Sequence, residues 1–250
     1  MIPLSCSKIM HLAAFSGILL LAAGAGPALA DPLAVTVLAP GVQSPAGITN
    51  NYETFNAVTP SGGTLTTNFN GSSITGTYTG DFAILPAGAF GGANGSNFIS
   101  TTGSNSSYTL TLSSPVNYYG MWLSALDSGN NLSFYNGNTL VETLTPTNFI
   151  GMLGACPSTT NLYCGNPNNH LDATEQFAYL NYYDSTGTFN KIVFSENSNS
   201  GAQFESDNQA IASLPSAPGT SAVPEPTSLF LLGSGLLGFA GLFRRQFLLS

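Results

Sequence analysis

The sequence predicts an all-β protein: a single β-sandwich or jelly-roll-like domain set between two apolar ends. Three observations carry this. Apolar and polar residues alternate in short runs, the period of a half-buried strand. Gly, Asn and Pro interrupt those runs every few residues, and Asn-Gly pairs stand where tight hairpins turn. The body between the apolar ends, about 190 residues, is long enough for one β domain with a real core.

The elements follow in chain order. Lys8 precedes an apolar run over residues 12–25, and Pro27 then breaks it. Ala28-Leu29-Ala30 before Asp31 is a small-x-small cleavage site, so residues 1–30 are expected to be a secretory signal peptide, cut between Ala30 and Asp31. The residue at the cut is Asp31 and not a cysteine, which argues against lipoprotein processing. Residues 31–211 are expected to form the sandwich. Residues 63–69 and 72–78 read as strands with Asn70-Gly71 as their turn. Residues 108–112 alternate strictly, with Tyr108, Leu110 and Leu112 on one face. Residues 132–135 and 139–144 flank Asn136-Gly137-Asn138 as a hairpin. Residues 118–125, 177–183, 191–195 and 203–211 are further strand candidates, and 172–176 is the one place where a short helix could start. Residues 212–222, rich in Pro, Ser, Ala and Gly, read as a flexible linker.

The expected mature body, residues 31–221, holds eleven acids and one base, Lys191, a formal net charge of −10. Such a field repels nucleic acid and anionic lipid, so no nucleic-acid partner is expected. Cys6 leaves with the signal peptide. Cys156 and Cys164 remain, and an even pair in an oxidising compartment reads as a disulfide closing a short loop.

The tail begins Val223-Pro224-Glu225-Pro226. The two prolines hold it extended and remove amide donors. Residues 227–243 then run without a charge, and a helix of that length spans about 25 Å, the lower limit for a bilayer core. Arg244 and Arg245 follow, and basic residues stay on the cytoplasmic side, so the body is expected to face outward. This succession resembles the PEP-CTERM sorting signal of Gram-negative bacteria. The resemblance implies that residues 223–250 are read at Pro-Glu-Pro by an exosortase, a membrane protease-transpeptidase. It also implies a transient stay in the inner membrane through a transmembrane helix over 227–243. The cleaved protein would then reach the cell surface or matrix, in company with exopolysaccharide. The residues after Arg245 depart from the family, which usually stops at the arginines. The stretches 119–127 with 131–137, 179–184 and 204–208 also resemble a group of exosortase-dependent surface proteins with a jelly-roll-like body.

Three functional classes can be weighed on the residues. A catalytic site finds little: the body has one histidine, His170, in an Asn/Pro-rich loop, no nucleophile elbow and no phosphate-cradling glycine motif. Glu175, Glu196 and Glu205 could pair, but eleven scattered acids give no specificity. The protein is therefore expected not to be an enzyme. A structural calcium ion is the one cofactor considered, with Asp127 and Asn131 in one loop and Glu205, Asp207 and Asn208 in a late strand as oxygen donors. The competing reading is turn-forming Asp and Asn. For carbohydrate binding, Trp122, Tyr118 and Tyr182 are the candidate platform, with Trp122 on the strand face opposite Tyr119, Met121 and Leu123. The expected function is thus a non-catalytic, exported surface or matrix protein, with a secreted carbohydrate-binding module as the alternative.

Overall fold

A computed structural model describes residues 33–218, apart from 46, 49–50, 58–62 and 200. The signal peptide expected over 1–30 and the tail over 223–250 lie outside the described residues. Among those described, no helix is long and apolar enough to cross a membrane.

The described chain is an all-β sandwich of thirteen strands and one short α-helix. The first sheet has seven strands: β1 (Ala34–Val37), β11 (Ala178–Tyr183), β8 (Tyr118–Ser124), β13 (Glu205–Ala212), β6 (Phe98–Thr101) and β5 (Phe82–Leu85) in that order, with β2 (Tyr52–Glu53) also pairing β13. The second has six: β10 (Thr139–Leu144), β9 (Asn130–Asn136), β12 (Phe189–Glu196), β7 (Ser106–Val116), β4 (Gly76–Gly80) and β3 (Gly63–Thr67). Neighbouring strands are antiparallel in both sheets. From β7 onward the chain passes back and forth between the sheets, so residues distant in sequence meet at the strand ends.

The core lies between the sheets. Tyr108, Leu110 and Leu112 of β7 point into it as their alternation predicts, with Leu132 and Phe134 of β9 and Ile192 and Phe194 of β12. Aromatic rings fill the space between the layers: Phe194 stacks on Tyr108 of the same sheet at 4.4 Å between centroids and meets Phe204 edge-on at 5.4 Å. Phe134 packs against Tyr182 and Phe189, each at 5.0 Å.

The two sheets differ on their outer faces. In the second sheet, buried and half-exposed residues alternate along β9 and β12, so one face meets water. In the first, every residue of β8 and β11 is buried. Loops cover that outer face, and asparagines fix them. Asn166 Nδ2 donates to the Gly88 and Ala89 carbonyls, and Asn168 Nδ2 donates to Gly92 O and Gln43 Oε1. Asn208 Nδ2 reaches Gln43 O at 2.5 Å. These asparagines are the staples of this layer.

Several expected elements need correction. The helix is α1 (Pro146–Leu153), not 172–176. Thr145 and Asn148 form a reciprocal capping box, and Pro146 occupies the first turn, where a missing N–H costs nothing. At 172–176, Asp172 takes φ +53° and the Glu175 carbonyl accepts from Gly165 N, so the segment turns instead of coiling. Residues 68–75 connect β3 to β4 as a longer loop, because Thr67 pairs with Gly76. Asn70 and Gly71 do take positive φ within it, at 57° and 106°. The hairpin at Gly137 forms as expected, with Asn136 opposite Thr139. The first residues of the expected linker are fixed: β13 runs to Ala212, and Asn117 holds Leu214 through two hydrogen bonds of 2.8 Å.

Candidate functional site

The aromatic platform expected for glycans does not form. Trp122 is 1% exposed, and Tyr118 and Tyr182 are fully buried. Trp122 sits on the outer face of β8, as strand alternation predicts, but that face is roofed: Trp122 packs with Phe177 at 5.8 Å and with Ala93 and Ala125. Tyr118 shares the roofed face and donates to Asn181 Oδ1 at 2.7 Å. Tyr182 points the other way, into the core, stacked on Tyr119. Cys156 and Cys164 are joined in a disulfide, Cα atoms 5.7 Å apart. His170 is exposed in a loop with φ +59°.

The five residues considered for calcium separate into three places. Asn131 turns its amide to the Gly129 carbonyl at 2.8 Å. Asp207 serves the covering loops: its carboxylate accepts from Ala93 N at 2.8 Å, Ser96 Oγ at 2.5 Å and Asn208 N at 2.6 Å. Burial nevertheless pushes Asp207 up to about 8, against the lowering effect of those donors. Asn208 carries φ +45° beside the β-bulge between Asp207 and Ala210. Of the five, only Asp127 and Glu205 line one pocket, together with Glu175.

Topology explains that meeting. β11 and β13 both run antiparallel to β8 as its neighbours. The end of β8, which leads to Asp127, therefore lies beside the start of β11, preceded by Glu175, and the start of β13, which is Glu205. Asn130 braces the group: its Oδ1 accepts from Asp127 N at 2.8 Å, and its Nδ2 donates to Glu196 Oε2 at 2.7 Å and Gln203 O at 2.9 Å. Gln203 N donates to Asp127 Oδ2 at 3.2 Å. The pocket holds about 340 Å³ and opens beside Phe90.

Its electrostatics are one-signed. Burial raises Glu175 to about 8, helped by the neighbouring carboxyls of Asp172 and Asp127. Asp127 is raised chiefly by burial, and Glu205 well above the usual carboxylate range for the same reason. Lys191, the one lysine or arginine between residues 33 and 218, lies elsewhere, 4.5 Å over the Tyr135 ring. Sequence reading named Glu175 with Glu205 as acids that could pair but did not place it with Asp127, because nothing in the spacing of the three foretells that three strand ends adjoin.

A second, smaller pocket of about 230 Å³ is lined among others by Ser44, Tyr52, Thr54, Asn56, Ser96 and Asn208. Asn208 Oδ1 is buried without a partner.

A disulfide-bonded, all-β sandwich with a one-signed acidic pocket is the class that fold and site define. The profile of the PEP-CTERM protein-sorting motif matches residues 222–245, so the chain carries the sorting motif of exosortase-processed surface proteins. No curated protein matches the chain. Among solved structures it is similar to "Crystal structure of Agl-KA catalytic domain", at 14% identity and a TM-score of 0.33, over 73% of this chain and 31% of that one.

Proposed function

We propose that this is a non-catalytic, exported cell-surface or extracellular-matrix protein with a jelly-roll-like body, cleaved by an exosortase and associated with exopolysaccharide. The sorting motif at 222–245 carries the reading. The body is consistent with a life outside the cell: a disulfide, few charges and a sandwich whose one helix has eight residues. The test is the intact mass and cell fraction of the protein in its host, with exosortase present and deleted. The reading expects the tail to be missing and the protein to be external only when exosortase is present. A full-length protein in the inner membrane of both strains would sink it.

One observation favours carbohydrate binding as a second reading. The pocket beside Asn208 offers hydroxyls, amides, one aromatic ring at Tyr52 and an unpaired acceptor, the groups that sugar hydroxyls need. This moves the binding site away from Trp122. Thr54→Trp, which fills the pocket, should abolish capture by the host's polysaccharide while leaving the unfolding midpoint in place. Equal capture of the variant, or none by the native protein, would reject this reading.

A further inference from the structure

We infer that the pocket at the junction of β8, β11 and β13 is a calcium site, with the carboxylates of Asp127, Glu175 and Glu205 as its protein ligands. The inference stands apart from the sorting and carbohydrate readings.

Glu205 is the observation that points to a ligand. It is 4% exposed, it lines the pocket, and its Oε2 is buried without a partner. Ser124, paired with Glu205 across the strands, also has a buried, unpartnered Oγ. Leaving a buried carboxyl oxygen unpaired is costly whichever protonation state it takes. As an anion it lacks a counter-charge; as an acid its hydroxyl lacks an acceptor.

The second observation is that the carboxyls of Asp127 and Glu175 line the same pocket as Glu205. Carboxylates brought together repel unless a proton or a cation lies between them. Lys191, the one basic side chain among the described lysines and arginines, is engaged over Tyr135. One divalent cation resolves both problems at once.

The donors select its type. The side chains lining the pocket offer carboxylate and amide oxygens, with neither imidazole nor thiolate among them, which disfavours zinc and copper. Calcium accepts six to eight oxygens in irregular arrangements and fills vacant positions with water, whereas magnesium demands a tight octahedron. As placed, no group of three or more His, Cys, Asp or Glu among the described residues could hold a metal ion. Asp127 and Glu175 are half-exposed and lie outside the strands, so their side chains can close on an ion that the fixed Glu205 anchors.

The test uses the full chain, purified in detergent and stripped with chelator. Calcium chloride is added, and thermal unfolding is followed, with terbium luminescence as the second readout. Trp122, the chain's one tryptophan, shares a cluster with Ala125, which lines the pocket, so it can sensitise bound terbium. Saturating calcium is expected to raise the midpoint by about 5 °C or more. Asp127→Asn and Glu175→Gln should each fold in chelator yet lose most of that shift and most of the terbium signal. Glu205→Gln should do the same where it folds; the two half-exposed positions decide the matter where it does not. No shift with the native chain, or an equal shift in Asp127→Asn and Glu175→Gln, overturns the site. An equal shift with magnesium at the same concentration overturns its assignment to calcium.

Discussion

Glu205 and Asp207 stand two residues apart on one face of β13, yet their surroundings give them different work. Asp207 is met by three donors from the 92–97 loop and its own backbone, and it holds that loop down. Glu205, one strand pleat away, has an oxygen that nothing meets. The grouping of acids at 205–208 was legible in the sequence; their division was not, because it depends on a loop more than a hundred residues earlier. Asp207 also gives the stability of the fold a pH dependence. Its pKa rises from an ordinary value of 3.8 to about 8 on folding, chiefly through burial. A raised pKa means that ionisation is harder in the folded state, so its contribution is complete below about pH 4 and is lost as pH rises to about 8. Unfolding midpoints measured in chelator across that range should fall with a shallower slope in Asp207→Asn than in the native chain. Parallel slopes would mean that Asp207 ionises as easily folded as unfolded.

At the level of elements, alternation found the strands that have one wet face, such as β7, β9 and β12, because period two is written in their side chains. It also found β8 and β11, whose apolar and aromatic runs stand out, and the mostly polar β13. It missed β5 and β6, Phe-Ala-Ile-Leu and Phe-Ile-Ser-Thr, which are four residues each and too short for a period to show. It missed α1 too, although Thr145-Pro146 followed by Asn148 is a helix start. The disulfide loop was found by counting cysteines, but its purpose needed the structure. Cys164 bridges to Gln176, and Gly165 N donates to Glu175 O at 2.9 Å, so the loop steadies the segment that carries Glu175. Replacing both cysteines by serine should cost about 2.5 kcal/mol by loop entropy, about 5–10 °C in midpoint. Calorimetry of the double variant checks this, and an unchanged midpoint would show that the loop is held without its bond.

For the whole molecule, the sequence announced where the chain is sent more plainly than what it meets there. A sorting motif is contiguous and can be read directly; a pocket assembled from the ends of three strands depends on sheet order, which no local pattern encodes. The scarcity of positive charge has one more consequence. Between Lys8 and Arg244 the chain offers a trypsin-like protease a single bond, after Lys191. That bond lies inside β12, paired to β7 on one side and β9 on the other, with the lysine ammonium held over the Tyr135 ring. Cutting there would require a central strand to leave its sheet. Trypsin should leave the folded body as one fragment on a gel, while a protease that prefers large apolar residues should nick it near Leu162 and Leu171, which are 76% and 53% exposed. The folded body is thus expected to be durable against one kind of digestion and open to another, a selective endurance set by where its few cleavable side chains sit.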